Sequence, residues 1–379
     1  MAWLGLAGGV MLIALILIDA FEAIILPRRV RHPYRLARLY YHLGWLGWQR
    51  AARLFAVGRW RQGFLSVFGP LSLFGLLGVW AAGLIYGFAL VHWTLETPIA
   101  NRTMTFDDYA YFSGTTFFTL GYGDLVPTES VGRLLSVTEA GLGFGFLAVV
   151  VTYLPVLYQA FSRREIMISL LDARAGSPPS AGELLRRLGG MQALEEMGPL
   201  LFEWERWSAE LLESHLSYPL LRYYRSQHDN QSWLATLTTI LDTTALLIAG
   251  IESAVVRQAR LTFAMARHAA VDLAILSQAP PLPTTSDRLP KESFDHLRRT
   301  LRTAGVTLRE GPEVEKILAE LRGLYEPIVN ALAAQFLFGM PSFLPEKPPV
   351  DNWQTSPWLP RSPSIGNLSP GMDAEDHFD

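Results

Sequence analysis

The sequence predicts an all-α membrane protein, with apolar helices gathered in the first 160 residues and a helical extramembrane half after them. Three observations carry this. Charged residues make up 18% of the 379-residue chain and hydrophobic ones 50%, whereas soluble domains are usually about a quarter charged. Three stretches, residues 2–26, 71–93 and 134–160, are predominantly apolar and meet the roughly 20 helical residues that a bilayer core demands. Beyond them, apolar residues recur at helix spacing to about residue 340.

The first stretch lacks a basic start and a small-residue cleavage site and carries Asp19 and Glu22, so it reads as an anchor helix (1–27) and not as a leader. Arg28, Arg29, Arg31, Arg35 and Arg38 follow the first span, and Arg163 and Arg164 follow the third. Basic residues at span ends mark the cytoplasmic side. The expected topology in the cell membrane therefore has Met1 outside, 27–70 inside, 94–133 outside and the C-terminal half inside. Residues 28–70, including "LARLYYHLGWLGWQRAARLF", alternate aromatic and basic positions as an interfacial amphipathic helix does. The chain has no cysteine, which excludes disulfides and cysteine-held metal. A net charge of −3 argues against a general nucleic-acid binder.

Between the second and third spans, an aromatic run leads into "FFTLGYGDLVP". Thr105 stands as an N-cap, and Asp107 and Asp108 occupy the first turn, where the helix dipole favours acids. A short helix over 106–118 follows, about 20 Å long. Irregular backbone at membrane depth must be satisfied by protein or by the contents of a pore. Glycines at 121 and 123 permit a backbone that a Cβ resists. Carbonyls of Thr119, Leu120, Gly121 and Tyr122 facing one axis can replace the water shell of a cation, with the Thr119 hydroxyl in the innermost ring. Tyr122 then points outward into an aromatic cuff, and Asp124 at the outer mouth gathers cations.

The run Thr119-Leu120-Gly121-Tyr122-Gly123-Asp124, flanked by two spans, resembles the selectivity filter of potassium channels. The resemblance covers 71–160 and implies an outer helix (71–93), a pore helix (106–118), the filter (119–124) and an inner helix (133–160). It implies K+ as the permeant ion at Thr119, Leu120, Gly121 and Tyr122, with Gly123 completing the filter. Gly141, Gly143 and Gly145 fall where such inner helices bend, and Pro155 is a further hinge candidate. Leu120 stands where valine is commonest, Phe118 where a second threonine is usual, and Thr115 where some members keep a buttressing glutamate. One pore loop cannot enclose an ion, so a homotetramer in the lipid bilayer is expected. The alternatives are a weakly selective monovalent cation channel and a non-conducting signalling or scaffold protein on the same fold.

Glu139, inside the third span, reads as a structural hydrogen bond behind the filter in preference to an ion contact. Asp19 and Glu22 share a helical face and are expected to pair with nearby arginines, a gating role being the minority alternative. Val149, Val151, Tyr153 and Tyr158 are candidates for a hydrophobic constriction. Arg29, His32, Arg35 and Arg38 have the spacing of a voltage sensor, but Pro33 interrupts them and a single span precedes them. After a linker at 161–180, in which Ser180 and Glu183 have capping-box spacing, a helical cytoplasmic domain is expected over 181–340. Residues 233–251 raise a fourth span, but Asp242 favours a buried core helix. The polar connection 218–233 holds Arg222, Arg225, His228 and Asp229. They suit a cytoplasmic ligand or partner, although a satisfied helix connection is the preferred reading. The Pro-rich tail, 341–379, is expected to be disordered. Asn101 opens a glycosylation sequon. No nucleophile–base or metal constellation stands out, so neither an enzyme nor a resident cofactor is expected.

Overall fold

A computed structural model describes residues 2–24, 36–99, 103–227, 230–283 and 287–345. Arg28, Arg29, Arg31, His32, Pro33 and Arg35 lie outside these residues, as do Asn101, His228, Asp229 and the tail from 346. Among the described residues the chain is helical, with no named strand. It divides into two compact units, Met1–Gln159 and Ala160–Asp379.

In the first unit, α1 (Ala2–Ile24) packs along α3 (Arg59–Thr94) on a seam of small residues. A Cβ added at Gly9 would stand 2.9 Å from the Gly87 carbonyl oxygen, and one at Gly87 would stand 2.7 Å from Ile13 Cγ1. Small residues let backbones approach where lipid leaves no hydrophobic drive between helices. The carboxylate of Asp19 fixes a third element. It accepts from Trp80 Nε1 on α3 (2.8 Å) and from the Ala37 amide (3.1 Å) in the first turn of α2 (Leu36–Ala52). Asp19 is thus met by an indole and a helix N-terminus, both of which favour an acid, while the arginines at 28, 29, 31 and 35 expected to pair with Asp19 and Glu22 lie outside the described residues.

The α2 helix packs on α3. Trp45 is buried against Phe68, Trp48 stacks on Phe64 with centroids 4.4 Å apart, and the Trp48 indole donates to the Phe64 carbonyl (3.0 Å). This packing extends the outer helix back to Arg59 and carries it through Pro70, where the sequence reading began it at 71.

The next helices are α4 (Phe106–Phe117) and α5 (Ser130–Ala175). The latter corrects the expected end at 160 and the linker at 161–180. Met167, Ile168, Leu171 and Ala175 repeat at helix spacing and are buried within the second unit, so the helix continues until Gly176, at φ 84°, ends it. Pro155 sits inside it.

The second unit is a bundle of α6 (Ala181–Leu188), α7 (Met191–Glu195), α8 (Gly198–Ser217), α9 (Trp233–Gly250), α10 (Val255–Ser277), α11 (Lys291–Thr303), α12 (Pro312–Gly323) and α13 (Glu326–Phe336). Ser180 caps α6 through the Glu183 amide, while the Glu183 carboxylate turns to Arg186 and Arg187. At the centre, α9 is buried over 94% of its apolar window. Its acid is satisfied there: Arg288 grips Asp242 through two nitrogens (2.5 and 3.2 Å), and the Tyr325 hydroxyl donates to the same carboxylate. Residues just past 340 join the core, since Phe343 is buried and its carbonyl accepts from the Gly182 amide (2.7 Å).

Candidate functional site

The glycine–tyrosine–glycine loop is clamped at its base. Ile99 bridges Pro127 antiparallel, the Thr128 amide donates to the Pro98 carbonyl (3.0 Å), and Arg133 Nε donates to the Pro127 carbonyl (3.2 Å). Within the loop, Thr105 and Asp108 form a reciprocal capping box that starts α4, with Asp107 beside it in the first turn. The buried Tyr109 and Phe112 face Ile99 and Ala89, and the Tyr109 hydroxyl donates to the Thr97 carbonyl (2.9 Å). These contacts fix the orientation of α4.

The chain leaves α4 by turning its amides back onto the helix. Thr119 donates to the Thr116 carbonyl (3.0 Å), and Leu120 and Gly121 donate to the Thr115 carbonyl (2.8 and 3.4 Å). From there φ alternates in sign. Thr119 stands at 55°, Gly121 at 56° and Gly123 at 78°, while Leu120 and Tyr122 between them stay on the ordinary side. In a β-strand successive carbonyls point to opposite sides; alternating handedness turns them to a common side. Among the described residues, no hydrogen bond ends on the carbonyls of Thr119, Leu120, Gly121, Tyr122 or Gly123. Left-handed φ at the non-glycine Thr119 costs about 1–2 kcal/mol, and such strain gathers at functional sites. Nothing lies within 4 Å of a Cβ added at Gly121 or Gly123, so conformation and not crowding sets those two positions.

Leu120 and Tyr122 are exposed within one chain, and Asp124 lies in hydrogen-bonding reach of the Tyr111 hydroxyl. Of the glycines on α5, Gly143 faces the end of α4: a Cβ there would meet the Phe117 carbonyl oxygen at 1.9 Å. Gly141 and Gly145 lie on another face with open space before them. They line a cavity of about 590 Å3 together with Ile16, Phe21, Leu84 and Val149. Of the constriction candidates, Val151 and Tyr158 are exposed within the single chain.

Glu139 is fully buried and hydrogen-bonded to Ser113 of α4, so it braces the loop from behind. His92 of α3 stands beside it, with Nε2 3.9 Å from Oε2. Neither Ser113 nor His92 was singled out from the sequence, although an imidazole inside an apolar span is itself a signal. In the second unit, Arg222 donates to the Leu276 carbonyl (2.8 Å), and Arg225 donates to the Phe336 carbonyl and lies over the Phe338 ring. Both therefore tie helices together.

Residues 75–159 match the model of a family described as an ion channel. The chain is 27% identical over 177 residues to "Uncharacterized membrane protein YdjJ" of Bacillus subtilis (strain 168), covering 45% of this chain and 51% of that protein. It is 34% identical over 85 residues to protein LctB of Geobacillus stearothermophilus, covering 19% of this chain and 63% of that protein. The chain thus spans between half and two thirds of the length of these relatives. No solved structure matches it. The matched stretch holds most of α3, all of α4, the alternating loop and the apolar part of α5; over these residues the chain is similar to an ion channel domain.

Proposed function

We propose that the chain assembles as a homotetramer in the cell membrane and conducts potassium selectively. The carrying observation is the alternation of left-handed φ at Thr119, Gly121 and Gly123, with the preceding amides spent on α4. That backbone leaves a row of carbonyl oxygens without partners inside one chain, and such backbone at membrane depth has to be satisfied by protein or by the contents of a pore. Four loops around one axis supply a cage of oxygens in place of ion hydration. Thr119, Leu120, Gly121 and Tyr122 hold the ion, Gly123 permits the last turn, and Asp124 lies at the mouth. Assembly also accounts for α5, whose most apolar window is only 11% buried within the chain. The arginine distribution orients the protein with Met1 outside and the helical bundle in the cytoplasm.

The test is potassium or rubidium flux in proteoliposomes, comparing wild type with Gly121→Ala. Alanine at φ 56° is strained whatever the space, so flux and selectivity should both fall. Equal flux from the two proteins refutes the assigned filter. A reversal potential that follows total monovalent cation instead of potassium refutes selectivity, and intact tetramers without flux refute conduction.

A further inference from the structure

Glu139 presents a problem of hydrogen-bond accounting. Ser113 Oγ is hydrogen-bonded to Glu139 Oε1 and also lies 2.7 Å from the Ile85 carbonyl oxygen. A serine hydroxyl owns one hydrogen, and a backbone carbonyl can only accept. The hydrogen therefore goes to Ile85, and the second link needs a hydrogen from the carboxyl group. The other carboxyl oxygen agrees. Oε2 is buried with no hydrogen-bond partner, and the facing His92 Nε2 is likewise unpartnered, 3.9 Å away. That is too long for a hydrogen bond, and His92 Nδ1 is engaged with Thr97 Oγ1 at 3.2 Å. A carboxylate left so would be a buried charge without a donor, which proteins avoid by neutralising the group. Tyr109 of α4 is also titratable, and its hydroxyl is spent on the Thr97 carbonyl.

We infer that Glu139 carries a proton and, as a neutral acid, donates to Ser113, which donates to Ile85, so that one relay of hydrogens joins α5, α4 and α3. Glu139 and Ser113 are thereby positioning residues: they hold α4, whose last carbonyls anchor the amides of Thr119, Leu120 and Gly121. The effect on conduction rests on the reading of 119–124 as the filter; the proton assignment does not.

Two measurements on the full chain in liposomes test it. Infrared spectra at neutral pH should show a protonated-carboxyl band that disappears in Glu139→Gln. In rubidium flux, Glu139→Gln should stay within about twofold of wild type, because its amide still donates to Ser113. Glu139→Ala should lose about tenfold or more, the loss expected when a buried partner is left unpaired. A spectrum without the band, or with the band persisting in Glu139→Gln, overturns the proton assignment. A glutamine variant as impaired as the alanine variant, or an alanine variant equal to wild type, overturns the positioning role. A wild-type protein that conducts no potassium refutes the filter reading and the positioning role built on it, while the infrared band still decides the proton.

Discussion

Replacing Gly143 with alanine should disturb the loop 119–124, the proposed filter, without touching it. The added methyl would lie 1.9 Å from the Phe117 carbonyl oxygen, 2.8 Å from its carbonyl carbon and 3.1 Å from its Cα. These are backbone atoms of the last turn of α4, so no flexible side chain can give way. Opening the shortest contact to 3.0 Å, the closest that real Cβ atoms keep, requires α4 and α5 to separate by about 1.1 Å. Overpacking of this kind costs about 1–3 kcal/mol, against about 1 kcal/mol gained from a better helix former. The displacement arises two residues before Thr119, so it should appear as a lower potassium-to-sodium permeability ratio and reduced flux, with a modest loss of thermal stability. Gly141→Ala and Gly145→Ala meet no neighbour and should keep flux while matching or exceeding wild-type stability. Permeability ratios from liposome reversal potentials, measured on all three variants, decide the matter. Wild-type selectivity in Gly143→Ala refutes the reasoning. Loss of flux in Gly141→Ala with retention in Gly143→Ala shows that the glycines serve as a hinge instead.

Two further outcomes follow from packing and titration. Gly87→Leu should separate α1 from α3, because even a Cβ there lies 2.7 Å from Ile13; the loss of about 1–3 kcal/mol is read as a lower melting temperature in detergent and weaker cysteine cross-linking between the two helices. Burial, with Arg164 nearby, pushes the His215 pKa down to about 3 from an ordinary 6.5. The folded imidazole thus binds fewer protons than the unfolded one, and the bundle should lose up to about 1.4 kcal/mol per pH unit as pH falls below 6.5 toward 3. Its full contribution is present above 6.5. In urea titrations of the full chain, His215→Phe should flatten that acid limb, and an unchanged slope would show that another group causes it.

What the sequence disclosed was what lies close together along the chain. Thr105, Asp107 and Asp108 announce the start of α4 because capping is a matter of three or four residues, and they stand there. Gly121 and Gly123 announce an unusual backbone because conformational demand is a property of single residues, and both have positive φ. Partnerships across the fold were less legible. Nothing near Asp19 in the sequence points to Trp80, 61 positions away, or to the start of α2, yet both donate to its carboxylate. The outer helix was expected to begin at 71, yet α3 runs from Arg59 through Pro70 because tryptophans on α2 cover its early turns. Gly143 looked like its neighbours 141 and 145 in a row of hinge candidates. Only the approach of α4 to within 1.9 Å of its missing Cβ distinguishes it.

The Asp19 junction bears on how the protein is made. Ribosomes deliver α1 before the other spans, so its acid enters the bilayer with neither Trp80 nor the start of α2 yet available. Such a group is costly to leave bare in lipid. Without the Asp19 carboxylate, the Trp80 indole and the Ala37 amide would both lose their acceptor.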